Sequence, residues 1–175
     1  MRQLFHFLMR ALLSTSVGYR ATLRIVNSLT WHMARIECDL CRRIAPDGGV
    51  HGGPFRGMVY PRLEACGSVL VPKLLGSYEE ELHDTLETCF RTGYSDVVDI
   101  GCAEGYYAVG CAMRLPKARV HAFDLDGRAR ELCAELAAAN GVAQRVSISG
   151  ICTPQALRTL ETHGRTLIVC DCEGA

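Results

Sequence analysis

From Asp96 onward, short apolar runs alternate with stretches of helical period, and this alternation leaves few folds open. Asp96–Ile100, Arg119–Phe123, Val146–Ser149 and Thr166–Cys170 read as strands, mostly apolar throughout rather than at every second residue. Residues 105–115, 127–139 and a stretch beginning at Pro154 read as helices. In the second of these, Ala129, Leu132, Cys133 and Leu136 recur at i, i+3, i+4 and i+7, which makes one buried stripe. Asn140-Gly141 closes it, and Thr153-Pro154 supplies an N-cap and a first-turn proline for the third. Apolar strands separated by helices predict a parallel sheet covered on both faces, a Rossmann-like α/β fold.

The front of the chain has a different character. Residues 1–45 carry seven arginines against two acidic residues, and no Asp or Glu precedes Glu37. Residues 46–175 carry twelve basic and seventeen acidic residues, so the formal net charge is zero and the whole chain shows no bias toward a polyanion. The first 45 residues read as one or two helices with Leu4, Phe5, Leu8 and Leu12 on one face. A targeting peptide or a membrane-surface helix would share that composition. A basic helical extension lying on its own domain is the preferred reading. His6 and Arg10 interrupt any secretory apolar core, and no run reaches the roughly 18 apolar residues of a membrane span.

Ala45–Pro54 is dense in Gly and Pro and reads as a linker, followed to Gly76 by a loop or small hairpin. Ser77-Tyr-Glu-Glu80 has capping-box spacing and is expected to open a helix through Leu82, Leu86, Cys89 and Phe90, stopped by Gly93. The expected organisation is a helical extension over 1–45, a linker and loop region over 46–76, and a ligand-binding domain over 77–175. Five of the ten cysteines, Cys102, Cys111, Cys133, Cys170 and Cys172, fall inside apolar patterns, where a free thiol behaves as a small hydrophobe. Cys38-Asp-Leu-Cys41 has neither a second CxxC nor a histidine pair, so no metal site is assigned. Reduced cysteines and a cytoplasmic location are expected.

The stretch Val97–Gly110, VVDIGCAEGYYAVG, places a carboxylate and two glycines where a strand turns into a helix. Such a turn lets a ligand approach backbone N–H groups at a helix N-terminus. Dinucleotide enzymes use G-x-G-x-x-G there, whereas this chain has Gly101-x-x-x-Gly105 with Ala103 at the second glycine position. Asp99 would repel a pyrophosphate but suits a ligand with a cationic amine. S-adenosylmethionine is such a ligand. Its ribose would fall to Asp124, nineteen residues after Gly105, because one carboxylate can accept from both hydroxyls. Helix capping is the competing role for Asp124 and the assigned role for Asp126. Glu104 is expected to face the helix N-terminus.

VDIGCAEGYYA, HAFDLD and IVCDCEGA, in that order, resemble the motifs of class I S-adenosylmethionine-dependent methyltransferases. Within that superfamily the chain is similar to the FkbM-type group, through Asp99, Gly101, Gly105 and Tyr106 and then Asp171, Glu173, Gly174 and Ala175. The resemblance covers roughly residues 75–175. It implies that Gly101 and Gly105 pass close to the methionine moiety and that Asp99 holds its amine, directly or through water. It further implies that Ala103 and Tyr106 line the pocket, that Asp124 takes the ribose and that Leu125 lies against adenine. Asp171 would face the acceptor or the methionine end, and is the candidate catalytic residue; a strand-terminal cap is its other role. Ser149-Gly-Ile-Cys-Thr153 lacks the acid often found for the adenine amine, which leaves backbone groups and the surroundings of Cys152.

The implied activity is O-methyl transfer to a small molecule or glycan precursor. His83, Tyr78, Glu79 and Asp171 are the candidate bases. Complete members of the superfamily continue past the fourth strand, so the chain is expected to be an amino-terminal portion with that strand on an open edge. A catalytically inactive ligand-binding or interaction fragment is the alternative, and a nicotinamide enzyme a third reading. No basic–aromatic patch argues for nucleic acid; weak RNA binding would use Arg20, Arg24, Arg35, Arg42 and Arg43 and fall steeply with salt.

Overall fold

The structure, a computed structural model, describes Ser28, His32, Met33 and residues 35–172. The chain divides into two compact units, the first ending at Asp39 and the second beginning at Leu40. The described residues of the first unit are helical. The stripe expected at Leu4, Phe5, Leu8 and Leu12 lies outside the described residues. No helix among the described residues is long and apolar enough to cross a membrane.

In the second unit the sheet strands are β1 (Asp96–Ile100), β2 (Arg119–Phe123), β3 (Val146–Ser149) and β4 (Thr166–Cys170). The helices are α1 (Leu70–Leu75), α2 (His83–Thr92), α3 (Tyr106–Arg114), α4 (Gly127–Ala139) and α5 (Pro154–Thr159). All strand pairs are parallel, in the order β3-β2-β1-β4, with Val97 opposite both Val120 and Leu167. This is the expected Rossmann-like sheet flanked by helices. Moving from β1 to β2 to β3 goes one way across the sheet, and β3 to β4 goes back past β1. Right-handed crossovers therefore put α3 and α4 on one face and α5 on the other.

The two faces are covered unequally. Val97, Val120 and Ala122 are fully buried beneath Ala108, Val109 and Cys111 of α3 and Leu136 of α4. On the α5 face, Ile168 of the edge strand β4 is 60% exposed. The Gly- and Pro-rich stretch before the sheet packs on the crowded side. Phe55 stands edge-on to Tyr106, ring centroids 4.9 Å apart, and a Cβ on Gly110 would meet its ring at 2.4 Å. Gly49 and Val59 form an antiparallel bridge. The Asn140 side chain both donates to and accepts from the Val59 backbone, at 2.9 and 2.8 Å, tying this loop to the end of α4.

Two local expectations are corrected. The Ser77–Glu80 capping box does not form: a 3-10 turn over Glu80–Leu82 leads into α2, with no side-chain cap on either element. The chain turns sharply at Glu79, which has φ 47, and that conformation is incompatible with a straight helix start. The stretch read as loop contains α1, with Leu70, Lys73 and Leu74 buried. It stops at Gly76, φ 80, where a Cβ would lie 2.0 Å from the Gly52 backbone. The caps assigned to Asp126 and Thr153 form as expected, accepting from the N–H groups of Arg128 and Ala156.

Candidate functional site

In open α/β sheets the crevice outside the strand C-termini, where strand order reverses, is the ligand position. Here that point lies between β1 and β4, and a cavity of about 460 Å³ opens there. That volume is in the range of ~300–1,000 Å³ typical of small-molecule sites. Its floor is the glycine turn after β1. Gly101 has φ 82, and a Cβ there would meet the Asp171 carbonyl oxygen at 2.0 Å, so the chain leaving β4 lies directly on it. Ala103 is also left-handed, φ 48, and its N–H donates to Asp124 Oδ2 at 2.8 Å. Asp124 Oδ1 accepts from the Asp126 N–H at 2.8 Å. Two backbone bonds thus aim the Asp124 carboxylate at the cavity, and an ionised carboxylate with about four acceptor sites retains capacity for a ligand.

Asp99 stands behind the turn, 1% exposed and outside the cavity lining. Its carboxylate accepts from the backbone N–H of Ala108, in the first turn of α3. Oδ2 has no partner. Burial, followed by the carboxylates of Asp124, Asp171 and Glu104, pushes its pKa up to about 7 against the lowering effect of the Ala108 bond. Gly105, φ 98, also stands away from the cavity: a Cβ there would lie 2.7 Å from Cys133 Sγ, so this glycine lets α3 approach α4.

The opposite wall is aromatic and cationic. The Lys73 ammonium lies 4.8 Å from the Tyr78 ring centroid and 5.3 Å from that of Tyr106. It forms a buried salt bridge with Glu104, which also accepts from the Tyr60 hydroxyl at 3.3 Å and the Cys66 N–H at 3.0 Å. The expectation for Glu104 is therefore corrected. It fixes α1 and residues 60–66 against the glycine turn instead of facing the α3 N-terminus. The Tyr107 hydroxyl donates to Glu79. Burial raises the phenol pKa values of Tyr78, Tyr106 and Tyr107, so all three keep their protons near neutral pH.

Gly101, Ala103, Tyr106, Asp124, Leu125, Cys152 and Asp171 all reach the one cavity, and Asp99 and Gly105 stand behind it. Gly150 and Ile151 line it beside Cys152, on the edge where no acid is present. Among the candidate bases, Tyr78 and Asp171 line the cavity, Glu79 is engaged by Tyr107, and His83 Nε2 contacts the Tyr78 carbonyl. Sequence reasoning missed Lys73 and Tyr107. A lysine at i+3 from Leu70 and next to Leu74 is the one signal that marks it, since the face carrying those two leucines turns inward.

Chemically, the site suits a ligand that is polyhydroxylated at one end and cationic at the other. Asp124, Asp126 and Asp171 are its acidic lining residues, and the basic lining residue, Lys73, is neutralised by Glu104. A phosphate would meet carboxylates. Nor is the α3 N-terminus open to one, since Asp99 already takes an N–H of its first turn. Among the described residues no group of three or more His, Cys, Asp or Glu is arranged to hold a metal ion.

No family model and no curated protein matches the chain. It is similar to a candidate O-methyltransferase from Klebsiella pneumoniae, 22% identical over 57% of this chain and 45% of that one, with a TM-score of 0.46. Another similar structure is TomG of Streptomyces achromogenes, an O-methyltransferase involved in tomaymycin synthesis and solved with SAM. The likeness there is 21% identity over 54% and 44% of the two chains, TM-score 0.43. A third is the N-terminal domain of human METTL16 with SAH, 13% identical over 69% and 42%, TM-score 0.39. The chain spans less than half the length of each of these proteins.

Proposed function

We propose that the cavity binds S-adenosylmethionine and that the protein to which these residues belong transfers its methyl group, in the manner of a class I, FkbM-type methyltransferase. The observation that carries this reading is the placement of Asp124. Its carboxylate directly follows β2, is fixed by the Ala103 N–H of the glycine turn, and faces a cavity whose other carboxylates disfavour phosphate. When bound, S-adenosylmethionine supplies an electrophilic methyl group. Asp124 accepts from the ribose hydroxyls, and Leu125 and Ile151, both lining the cavity, flank the adenine. Asp171 lies near the cationic end, and Asp99, beneath the turn, adds negative potential when the bound cation draws off the proton that burial helps it keep.

For an oxygen acceptor, one proton must leave as the new bond forms. The tyrosines hold theirs, so Asp171 is the lining carboxylate placed to receive it, and Tyr78 and Tyr107 form the aromatic wall against which the acceptor packs. The acceptor class is a hydroxylated small molecule or glycan precursor, and the location cytoplasmic.

Titration calorimetry tests the donor site. S-adenosylmethionine and S-adenosylhomocysteine should bind, and Asp124→Ala should weaken both by about a hundredfold, the loss of two charge-assisted hydrogen bonds. Asp124→Asn, which keeps an acceptor for the Ala103 N–H, should give a smaller loss. Tight NADH binding would overturn the proposal in favour of a nicotinamide enzyme. A folded sample that binds none of these ligands would favour the inactive interaction module.

A further inference from the structure

Of the ten cysteines, Cys170 and Cys172 are the exposed pair, which corrects their expected place among the buried apolar positions: they lie at the end of and just beyond the edge strand β4. Their sulfurs lie 3.8 Å apart, and the two residues bracket Asp171. Cys170 ends β4, and Cys172 lines the cavity. Cys111 and Cys133 are sealed in the core, and Cys102, at the cavity wall, is only 4% exposed. The backbone between the exposed thiols touches the floor of the site. A Cβ on Gly101 would lie 2.0 Å from the Asp171 carbonyl oxygen and 3.3 Å from Cys172 Cα. The Asp171 N–H donates to the Ile100 carbonyl at 2.9 Å.

We propose that Cys170 and Cys172 are a thiol–disulfide site, oxidised by a peroxide or a low-molecular-mass disulfide, that reshapes the cavity between Gly101 and Asp171. This concerns regulation of the site described above, and only its effect on ligand affinity rests on the methyl-donor reading. An extended step of two residues spans about 6.6 Å, close to the upper limit of about 6.8 Å between the Cα atoms of a disulfide. The sulfurs must close from 3.8 Å to about 2.05 Å. Closure therefore draws the end of β4 into a tighter bend centred on Asp171. Because the Asp171 carbonyl already rests on Gly101, that bend moves the glycine turn, the Asp171 carboxylate, or both.

With a peroxide, one thiolate attacks an oxygen, the O–O bond breaks, and a sulfenic acid and water form. The second thiol attacks the sulfenic sulfur, the S–O bond breaks, and a second water leaves. Two thiols and one peroxide thus give a disulfide and two waters. With glutathione disulfide, exchange through a mixed disulfide releases two glutathione thiols. The Cys170 thiol is pushed up by its contact with Cys172, then by burial and by the nearby Asp171 and Cys152, so the reaction quickens as pH rises.

The experiment treats the full chain with hydrogen peroxide or glutathione disulfide, then with dithiothreitol. Intact mass, peptide mapping, hydrogen exchange over residues 100–106 and S-adenosylmethionine titration are read at each stage. The expected result is a loss of about 2 Da mapped to Cys170 and Cys172. Exchange in the glycine turn should change severalfold and donor affinity should fall about tenfold. Dithiothreitol should reverse every change, and Cys170→Ser should abolish them. The proposal is overturned if no disulfide forms, if the bond maps to Cys152, or if a Cys170–Cys172 bond leaves exchange over 100–106 unaltered. If neither redox state binds S-adenosylmethionine, the donor reading fails while the mass and exchange results still decide the switch.

Discussion

Two buried aspartates three residues apart on β1 have opposite fates. Asp96 is fully buried at the start of the strand, and Asp99 is nearly so at its end. An odd separation puts them on opposite faces of the sheet. Asp96 is satisfied: Oδ2 accepts from the His163 N–H at 2.7 Å, and Oδ1 lies 3.4 Å from both Arg119 Nη2 and His121 Nε2. Asp99 accepts from Ala108 N–H, leaves Oδ2 without a partner, and has other carboxylates as its charged neighbours. The difference separates a carboxylate that closes a fold from one whose electrostatic cost is left standing beside a cavity. Buried polar groups are expected to be paired, and an exception at a strand C-terminus is where a functional site belongs.

The largest effect expected from this contrast is a pH dependence of stability. Asp99 has a folded pKa of about 7 against an ordinary 3.8, so the folded state holds a proton that the unfolded state releases between those values. Stability from this group is therefore complete below about pH 4 and is lost as pH rises through 7, by at most about 4 kcal/mol. Urea unfolding at pH 5, 6, 7 and 8 should show that decline, and Asp99→Asn should flatten it and be the more stable protein at pH 8. A parallel decline in wild type and Asp99→Asn would remove the distinction between the two aspartates. A cationic ligand that stabilises the ionised form should bind with proton release near pH 7, measurable as a buffer-dependent calorimetric enthalpy.

The next effect comes from the other end of the strand. Asp96→Ala removes the charged acceptor of the His163 N–H and the anchor for Arg119 and His121, and should cost about 2–3 kcal/mol in urea unfolding at any pH from 6 to 8. Asp96→Asn, which preserves an acceptor for the His163 N–H, should recover most of that loss. An Asp96→Ala cost that grew with pH as Asp99 is expected to behave would show that the two ends are not independent.

How much of this was legible follows from range. The four strands, α3, α4, and the Asp126 and Thr153 caps depend on periodicity and on neighbours within a turn, so the sequence specifies them locally. Asp124 was legible as a strand-terminal acid beside a glycine turn, and its bond to the Ala103 N–H explains why the spacing matters. The partner of Glu104 was not, because Lys73 lies 31 positions away and its pairing depends on how α1 docks. Gly105 was read as making room for a ligand, whereas the nearest obstruction is Cys133 of α4. A glycine reports that something comes close without saying what. The loop over Ala45–Tyr60 carried turn signals, yet its Phe55 is buried against α3, because Gly110 leaves space that no local pattern reveals.

The smallest effect sharpens which partner closes the Asp96 end. Arg119 is the formal ion-pair partner, but its side chain is 43% exposed and its nearest approach is 3.4 Å. An exposed guanidinium at that distance gains little over water, and pairs of this kind contribute about 0–1 kcal/mol. The His163 N–H has the shorter geometry, 2.7 Å to Asp96 Oδ2. Arg119→Gln should therefore lower stability by less than about 1 kcal/mol, with that loss shrinking further in 0.5 M salt. Asp96→Ala should keep most of its cost in the same salt, because a short hydrogen bond to a fully buried carboxylate is screened less than an exposed ion pair. Unfolding both variants at low and high ionic strength separates the contributions: equal costs, or a salt-sensitive Asp96→Ala, would assign closure of this end to the ion pair instead of the backbone.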